Sequence, residues 1–207
     1  EDPLHNLGKY DRIGSPEFAD MALNAARESI TLLKNEDNIL PLAKDARVLL
    51  AGPGANSLNA LNGAWTHTWQ GQDTSFNTKG KATLYEAMRG IAGNANVSLV
   101  DMQFTDPSAP NITAAAARAD VIVLALGERP GTEKPGDIND LNLSPAQREL
   151  AAAAARTGKP IVLVLLEGRP RVISEVEPNA SGVVMGYLPG DEGGQAIAEV
   201  LYGEVNP

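Results

Sequence analysis

Uninterrupted apolar runs constrain the fold of this chain more than any other feature of its sequence. The two longest, 121–126 and 161–166, contain no polar residue, and shorter strand patterns occur at 47–54, 97–101 and 181–187. Because the runs do not alternate with polar residues, each predicted strand needs cover on both faces. Helix patterns separate the runs. We therefore expect an α/β fold: an open, mostly parallel sheet of about five strands with helices on both faces, the two longest runs being central.

The helix patterns carry recognisable start signals. Ser15–Pro16 predicts an N-cap and a first turn. Ser144–Pro145 repeats this signal, with Gln147 as a capping-box residue, for a helix that ends at Ala155. After the first signal, apolar residues at three- and four-residue steps predict an amphipathic helix, and they are Phe18, Met21, Ala22, Ala25, Ala26, Ile30 and Leu33. Further helix patterns lie at 83–93, 111–119 and 191–203.

Composition narrows the classes of function. The 207 residues carry a net charge of −9, which argues against nucleic acid as a partner. No apolar run approaches the roughly 20 residues of a membrane span, so we expect no membrane partner. Cysteine is absent, which excludes disulfides and thiolate chemistry. The sequence starts without Met and ends just after a helix pattern, so we expect a fragment of a longer protein.

Motifs for cofactors and metals are incomplete. The glycines of 52–54 begin a dinucleotide-binding pattern, but Ser57 occupies the position of its third glycine. The segment 157–160, TGKP, lacks the flanking residues of a phosphate-binding loop. His5 and His67 lie far apart in sequence, and the carboxylates show no ligand spacing. We therefore expect no cofactor and no metal, and a flavodoxin-like regulatory domain is disfavoured.

Two loops are longer than a connection requires, and both follow predicted strands. Parallel sheets bind ligands beyond the carboxyl ends of their strands, so we expect both loops at that edge. The tryptophan loop (62–78) contains both tryptophans of the chain, Trp65 and Trp69. The acidic loop (128–142) contains carboxylates among several prolines and glycines, namely Glu128, Glu133, Asp137 and Asp140.

Each loop has a structural and a functional interpretation. The tryptophans either pack into a core or a domain interface, or offer indole faces to the C–H faces of sugar rings. The carboxylates either form a solvated loop or include an acid/base residue, and the closely specified backbone of the acidic loop favours acid/base chemistry. Tryptophans beside carboxylates at one sheet edge suggest a carbohydrate site.

Five segments, collinear and correctly spaced, resemble family 3 glycoside hydrolases. They are AARESITLLKNEDNILPL (25–42), GAWTHTWQG (63–71), LGERPGTEKPGD (126–137), TGKPIVLVLLEGRP (157–170) and YLPGDEGGQAIAEVLYGEVNP (187–207). The tryptophan pair together with the GTEKPGD segment is most similar to the branch of exo-acting β-glucosidases and β-glucan exohydrolases.

The resemblance implies a two-domain enzyme. An N-terminal barrel of the same protein supplies an aspartate nucleophile, a C-terminal α/β sandwich supplies an acid/base glutamate, and the active site is the cleft between them. Residues 1–43 are then the interdomain linker with the first helix, 44–207 are the sandwich domain, and the barrel lies outside this chain. The implied enzyme is a retaining β-glucosidase that removes glucose from β-glucans or β-glucosides without a cofactor, in the periplasm or after secretion. The chain alone is expected to be inactive.

The same resemblance implies roles for three residues. Glu133 matches the acid/base position in the GTEKPGD segment, and Trp65 and Trp69 match the tryptophans that line the sugar subsites. Gly131 stands where the family often has a tyrosine, and Pro135 is a second departure from its pattern. Glu128 therefore remains the alternative acid/base residue.

A second hypothesis for function belongs to another class. The tryptophan pair would suffice for a non-catalytic carbohydrate-binding module, in which Glu133 would only form hydrogen bonds to the sugar. A nucleophile in an upstream barrel would distinguish the enzyme from the binding module.

Overall fold

The computed structural model describes Gly8 and residues 13–207, and these residues form one six-stranded sheet. The strands are β1 (Thr31–Asn35), β2 (Val48–Ala51), β3 (Val97–Val100), β4 (Val121–Gly127), β5 (Ile161–Leu166) and β6 (Gly182–Met185). Their order is β1-β6-β5-β4-β2-β3, and only β1 runs antiparallel to its neighbour among these described strands. The predicted α/β fold is confirmed, and the two longest apolar runs are the central strands β4 and β5.

Helices cover both faces of the sheet. They are α1 (Pro16–Ser29), α2 (Leu58–Asn62), α3 (Leu84–Ala92), α4 (Thr113–Ala116), α5 (Pro145–Ala155) and α6 (Gly193–Leu201). Short 3-10 turns lie at Glu36–Asn38, Thr74–Phe76, Lys134–Gly136 and Glu177–Asn179. No helix in the described part of the chain is long and apolar enough to cross a membrane.

Two separate apolar cores lie on the two faces of the sheet. One face packs against α1, α2, α3 and α6, and the other packs against α4 and α5. Successive residues of β4 alternate between these cores, with Val123 on the first side and Leu124 on the second, and every residue of β4 and β5 is buried. This double burial is the reason that the strand sequences show no polar alternation.

The first helix is amphipathic over a narrower strip than its sequence predicts. The predicted helix is present over Pro16–Ser29, with Ala26 buried but Phe18 37% and Met21 61% exposed. The prediction was wrong for Leu33, which lies in β1 and not in the helix. The helix contacts the domain mainly through its second half. There Arg27 donates two hydrogen bonds, of 2.5 and 2.7 Å, to the carboxylate of Glu199 on α6, and this bond holds the pKa of Glu199 below its usual value.

A second correction concerns Gln147. Ser144 caps α5 as predicted, by accepting a hydrogen bond from the Gln147 backbone N–H. The Gln147 side chain does not close a capping box, however. It is buried, accepts from the backbone N–H of Gly127 at 2.8 Å and donates to the Gly127 carbonyl at 3.1 Å. The side chain also donates to the Ser144 hydroxyl at 3.3 Å, so it bonds both the N-cap side chain and the end of β4.

The predicted boundary between linker and domain, at residues 43 and 44, stays a prediction. Residues 1–7 and 9–12 of the predicted linker lie outside the described residues. Strand β1, on the linker side of that boundary, pairs with β6 and forms one edge of the sheet.

Alanine substitutions at two glycines should change the free energy of unfolding in opposite directions. A Cβ on Gly194 of α6 would lie 2.2 Å from the carbonyl oxygen of Ala82, so Gly194→Ala should lower the free energy of unfolding by on the order of 1–3 kcal/mol. A Cβ on Gly90 of α3 would meet no atom within 4 Å, so Gly90→Ala should raise it by about 0.5–1 kcal/mol. Urea unfolding followed by circular dichroism measures both, and equal effects would contradict the close packing of α6 against the segment before α3.

Candidate functional site

The loops after β2, β4, β5 and β6 meet at one edge of the sheet. These four strands are parallel, so their carboxyl ends lie together. The tryptophan loop and the acidic loop are in direct contact there. Gln72 donates to the carbonyl of Pro130 at 2.6 Å and accepts from the guanidinium of Arg129 at 2.5 Å. The predicted juxtaposition of the two loops is confirmed.

Close backbone contact shapes the tryptophan loop. A Cβ on Gly71 would lie 2.1 Å from the carbonyl oxygen of Gly63, so the two ends of the loop touch and leave no room for a side chain at Gly71. Between them, the backbone N–H of Trp65 donates to the carbonyls of Thr68 and Trp69. This tight turn directs both indoles outward, since Trp65 is 66% and Trp69 48% exposed.

Asp191, which follows β6, anchors the base of the tryptophan loop. Its carboxylate accepts hydrogen bonds from Thr78 Oγ1 at 2.5 Å and Asn62 Nδ2 at 2.8 Å, and it lies 3.3 Å from Nε2 of His67. Partial burial raises the pKa of Asp191, but these three contacts together outweigh it, so the pKa lies below its usual value. The anchor therefore depends on an ionised carboxylate.

The acidic loop begins at an ion pair between a buried carboxylate and a half-exposed arginine. Glu128, directly after β4, is buried, and its carboxylate accepts from Nε and Nη2 of Arg169 and from the Arg169 backbone N–H. The Arg171 guanidinium lies 3.4 Å from the same carboxylate. Both acceptor oxygens of Glu128 are thus already used by protein donors.

The same two arginines also hold later parts of the acidic loop. Arg169 donates to the carbonyl of Gly136 at 2.8 Å, and Arg171 donates to the carbonyls of Asp140 and Asn142, both at 3.2 Å. A second buried carboxylate, Glu167 at the end of β5, accepts from the Arg171 backbone N–H at 3.0 Å. Burial raises the pKa of Glu167.

Glu133 contrasts with both of these carboxylates. Its backbone has φ 51° and ψ −158°, a conformation that residues with a side chain rarely adopt. Its side chain is exposed, and it has no hydrogen-bonding or ion-pair partner among the described residues. The adjacent Thr132 is fixed by Gln70 of the tryptophan loop, which donates to the Thr132 carbonyl at 3.0 Å and accepts from its N–H at 3.1 Å.

A groove of about 280 Å³ lies between the loops. Its lining comes from four segments, 63–64, 128–133, 136–137 and 168–169, together with Leu188. Glu133 lines this groove, whereas the two indoles lie outside its lining and face solvent. The groove therefore combines two free carboxylates, Glu133 and Asp137, with walls that include several glycines.

Metal-ligand geometry is not evident in this site. Over residues 13–207 no group of three or more His, Asp or Glu side chains is arranged to hold a metal ion. His67 contacts Asp191, and His5 lies outside the described residues.

The structure brings the sequence-predicted residues to one edge of the sheet but gives them different surroundings. Glu133 and Glu128 both line the groove, with Glu133 free and Glu128 bonded to Arg169. Sequence reasoning assigned no role to Gln70, Arg169 or Asp191, although all three lie within the segments whose resemblance was noted. Their roles depend on partners far away in the sequence, which no local pattern reports.

Comparisons with known proteins identify this arrangement. A model of the glycosyl hydrolase family 3 C-terminal domain matches residues 30–207. The chain is 38% identical to a lysosomal beta glucosidase from Dictyostelium discoideum and 31% identical to a periplasmic beta-glucosidase from Salmonella typhimurium; the matches cover 99% and 100% of this chain, but 26% and 30% of those proteins. The beta-glucosidase from Listeria innocua in complex with glucose superposes with a TM-score of 0.85 at 32% identity, over 100% of this chain and 28% of that one.

The chain therefore belongs to glycosyl hydrolase family 3, as a C-terminal domain of that family. Its relatives include beta-glucosidases, beta-xylosidases and exo-alpha-(1->6)-L-arabinopyranosidases, and the chain spans between a quarter and a third of their length. The resemblance drawn from the sequence is confirmed.

The Asp191 anchor should make the stability of this domain depend on pH. The folded pKa of Asp191 lies below the unfolded value of about 3.9, so its contribution is present above that pH and is lost as the pH falls through the folded value. At pH 6, Asp191→Asn should lower the free energy of unfolding by about 1–3 kcal/mol, and this difference should shrink below pH 4. Thermal unfolding from pH 2 to 7 tests this. Asp137→Asn, at an exposed carboxylate, is the control, and a difference that persists unchanged to pH 2 would contradict the role of the charge.

Proposed function

We propose that this chain is the acid/base-bearing second domain of a retaining, exo-acting β-glucosidase that removes glucose from β-glucans or β-glucosides. One observation carries the proposal: Glu133 is a carboxylate at the groove without a protein partner, and the residue before it is held by Gln70 of the tryptophan loop, which is not so for Asp137, the other unpartnered carboxylate that lines the groove. Glu128, the alternative, is buried and its carboxylate is paired with Arg169, so a catalytic role would have to break the ion pair of a buried carboxylate.

The chemistry requires a second carboxyl group from outside this chain. In the proposed mechanism an aspartate of an N-terminal barrel attacks the anomeric carbon while Glu133 protonates the leaving oxygen. Glu133 then takes a proton from the water that releases the glycosyl-enzyme. In a retaining enzyme the two carboxyl groups lie about 5–5.5 Å apart, so the barrel must close over the groove.

The exposed indoles of Trp65 and Trp69 fit sugar subsites in this proposal. Indole faces pack against the C–H faces of pyranose rings, and both side chains are accessible to a ligand or to a facing domain. This accessibility also supports the alternative function, a non-catalytic carbohydrate-binding module. The two functions differ in whether Glu133 transfers protons.

The first test replaces Glu133 by glutamine in the full-length enzyme that contains this chain. Glu133→Gln keeps the size of the side chain but can neither donate nor accept the catalytic proton. Activity on natural β-glucans should fall by roughly 100- to 10,000-fold, because their poor leaving groups need the acid in the first step. With dinitrophenyl β-glucoside the rate of that step should fall much less, and the glycosyl-enzyme should accumulate. Azide should restore its turnover and yield β-glucosyl azide.

Glu128→Gln is the matched control, since it makes the same chemical change five residues earlier. It should lower thermal stability, because Arg169 loses a buried charged partner, and azide should not rescue its activity. Rescue of the Glu128 variant together with a nearly unchanged Glu133 variant would reverse the assignment. If the full-length protein hydrolyses no substrate, and wild type and Glu133→Gln bind cellobiose equally well, the protein is instead a binding module.

The second test concerns the 207-residue chain alone. Because it would lack the nucleophile and half of the cleft, we expect no hydrolysis of aryl β-glucosides above the background rate. Weak binding of glucose or cellobiose, measured by the change in tryptophan fluorescence, is compatible with this expectation. Turnover by the rigorously purified chain would contradict it.

A further inference from the structure

We propose that Gln70 is a positioning residue for Glu133. Its side-chain amide connects the tryptophan loop to the backbone next to this acid/base group. The inference rests on the proposed function, because it assumes the proton-transfer role of Glu133. It assigns to Gln70 a part in catalysis without contact with the substrate.

The contact between the two loops is a closed pair of hydrogen bonds. The Gln70 amide donates through Nε2 to the carbonyl of Thr132 at 3.0 Å and accepts through Oε1 from the N–H of the same residue at 3.1 Å. Since one side-chain amide satisfies both backbone groups of Thr132, it fixes the direction of the chain there as a neighbouring strand would. Gln70 directly follows Trp69, and Thr132 directly precedes Glu133. The contact therefore joins the immediate neighbours of the two proposed site residues.

Glu133 needs such support because of its backbone conformation. A residue with a side chain at φ 51° and ψ −158° is strained, and such strain persists only when its surroundings hold the chain on both sides. On the C-terminal side, the N–H of Gly136 donates to the carbonyl of Glu133 at 2.8 Å, and Arg169 holds the carbonyl of Gly136. On the N-terminal side, the two hydrogen bonds between Gln70 and Thr132 fix the backbone.

The action of Gln70 is indirect. Gln70 is half-buried and does not line the groove. Both polar ends of the amide are already bonded to Thr132. A loss of activity on substitution would therefore come from a displaced Glu133 and not from a lost contact with the sugar.

Gln72 offers a matched control in the same loop. Its amide also bonds the acidic loop, but at Pro130 and Arg129, farther from Glu133 in sequence. The two loops thus remain tied when Gln70 is changed, and only the contact next to Glu133 is lost. Comparing the two glutamines separates positioning of the acid from general loop contact.

The experiment measures leaving-group dependence in the full-length enzyme. Wild type, Gln70→Ala, Gln70→Glu and Gln72→Ala are assayed with a series of aryl β-glucosides that extends from dinitrophenyl to poor leaving groups. Substrates with poor leaving groups depend most on protonation, so a misplaced acid should slow them most. Both Gln70 variants should therefore lose about 10- to 100-fold in kcat on the poorest leaving groups and less than about 3-fold on dinitrophenyl glucoside. Gln70→Glu keeps the volume but places a carboxylate against the carbonyl of Thr132. Gln72→Ala should keep the wild-type slope.

Hydrogen exchange of the 128–142 segment in the same proteins provides an independent measurement. Gln70→Ala should exchange faster at 132–137, while its melting temperature confirms a folded enzyme; if that variant does not fold, Gln70→Glu is used for the same comparison. Equal losses on all substrates, a change in KM alone, or unchanged exchange would overturn the inference and leave Gln70 a structural residue. If Glu133→Gln behaves like wild type, the proposed function itself fails. If Glu133→Gln is defective and the Gln70 variants keep the wild-type slope, only the role of Gln70 is wrong.

Discussion

The parallel pairing of β4 with β5 is the constraint on which the candidate site depends. The two strands pair in register from Ile122 with Ile161 to Gly127 with Leu166, and all their residues are buried. Because they end level with each other, the residues that follow, Glu128 and Glu167, emerge side by side from an apolar core. Carboxylates in such a place need hydrogen-bond donors, and an ionised one needs a cation as well.

Arg169 and Arg171 supply cations to Glu128, Glu167 accepts a hydrogen bond from the backbone N–H of Arg171, and the two arginines do more than neutralise charge. An ion pair with a buried carboxylate adds little net stability relative to apolar packing, but removing one partner is costly, so its geometry is well fixed. The remaining guanidinium donors of both arginines hold carbonyls of the acidic loop, at Gly136, Asp140 and Asn142. The core thereby determines the path of a loop that contributes little to the core itself.

The carboxylates of this edge thus divide into two kinds. Glu128, Glu167 and Asp191 are partly or fully buried, bonded to protein donors and occupied in holding loops. Glu133 and Asp137 are exposed, and their side chains are free of protein partners within the described residues, but of these two only Glu133 has a backbone with positive φ. A site in which the supporting groups are bonded to protein donors and the reactive group is free suits proton transfer, because the reactive group is available to a ligand while its backbone is held.

The sequence by itself determined every strand of the described sheet except β1, most of the helices, and the two loops that carry Glu133 and the tryptophans. These features follow from periodicity, capping residues and glycines, which act over a few residues, and the motif segments then specified the family. Tertiary structure alone decided that Gln147 bonds the end of β4, that Phe18 stays exposed, and that Glu128 pairs with Arg169. The hydrogen bonds that shape the site join residues far apart, Gln70 with Thr132 and Asn62 with Asp191, which are 62 and 129 positions apart. Such pairings depend on which strand ends become neighbours in the sheet, and local patterns of hydrophobicity carry no information about that order.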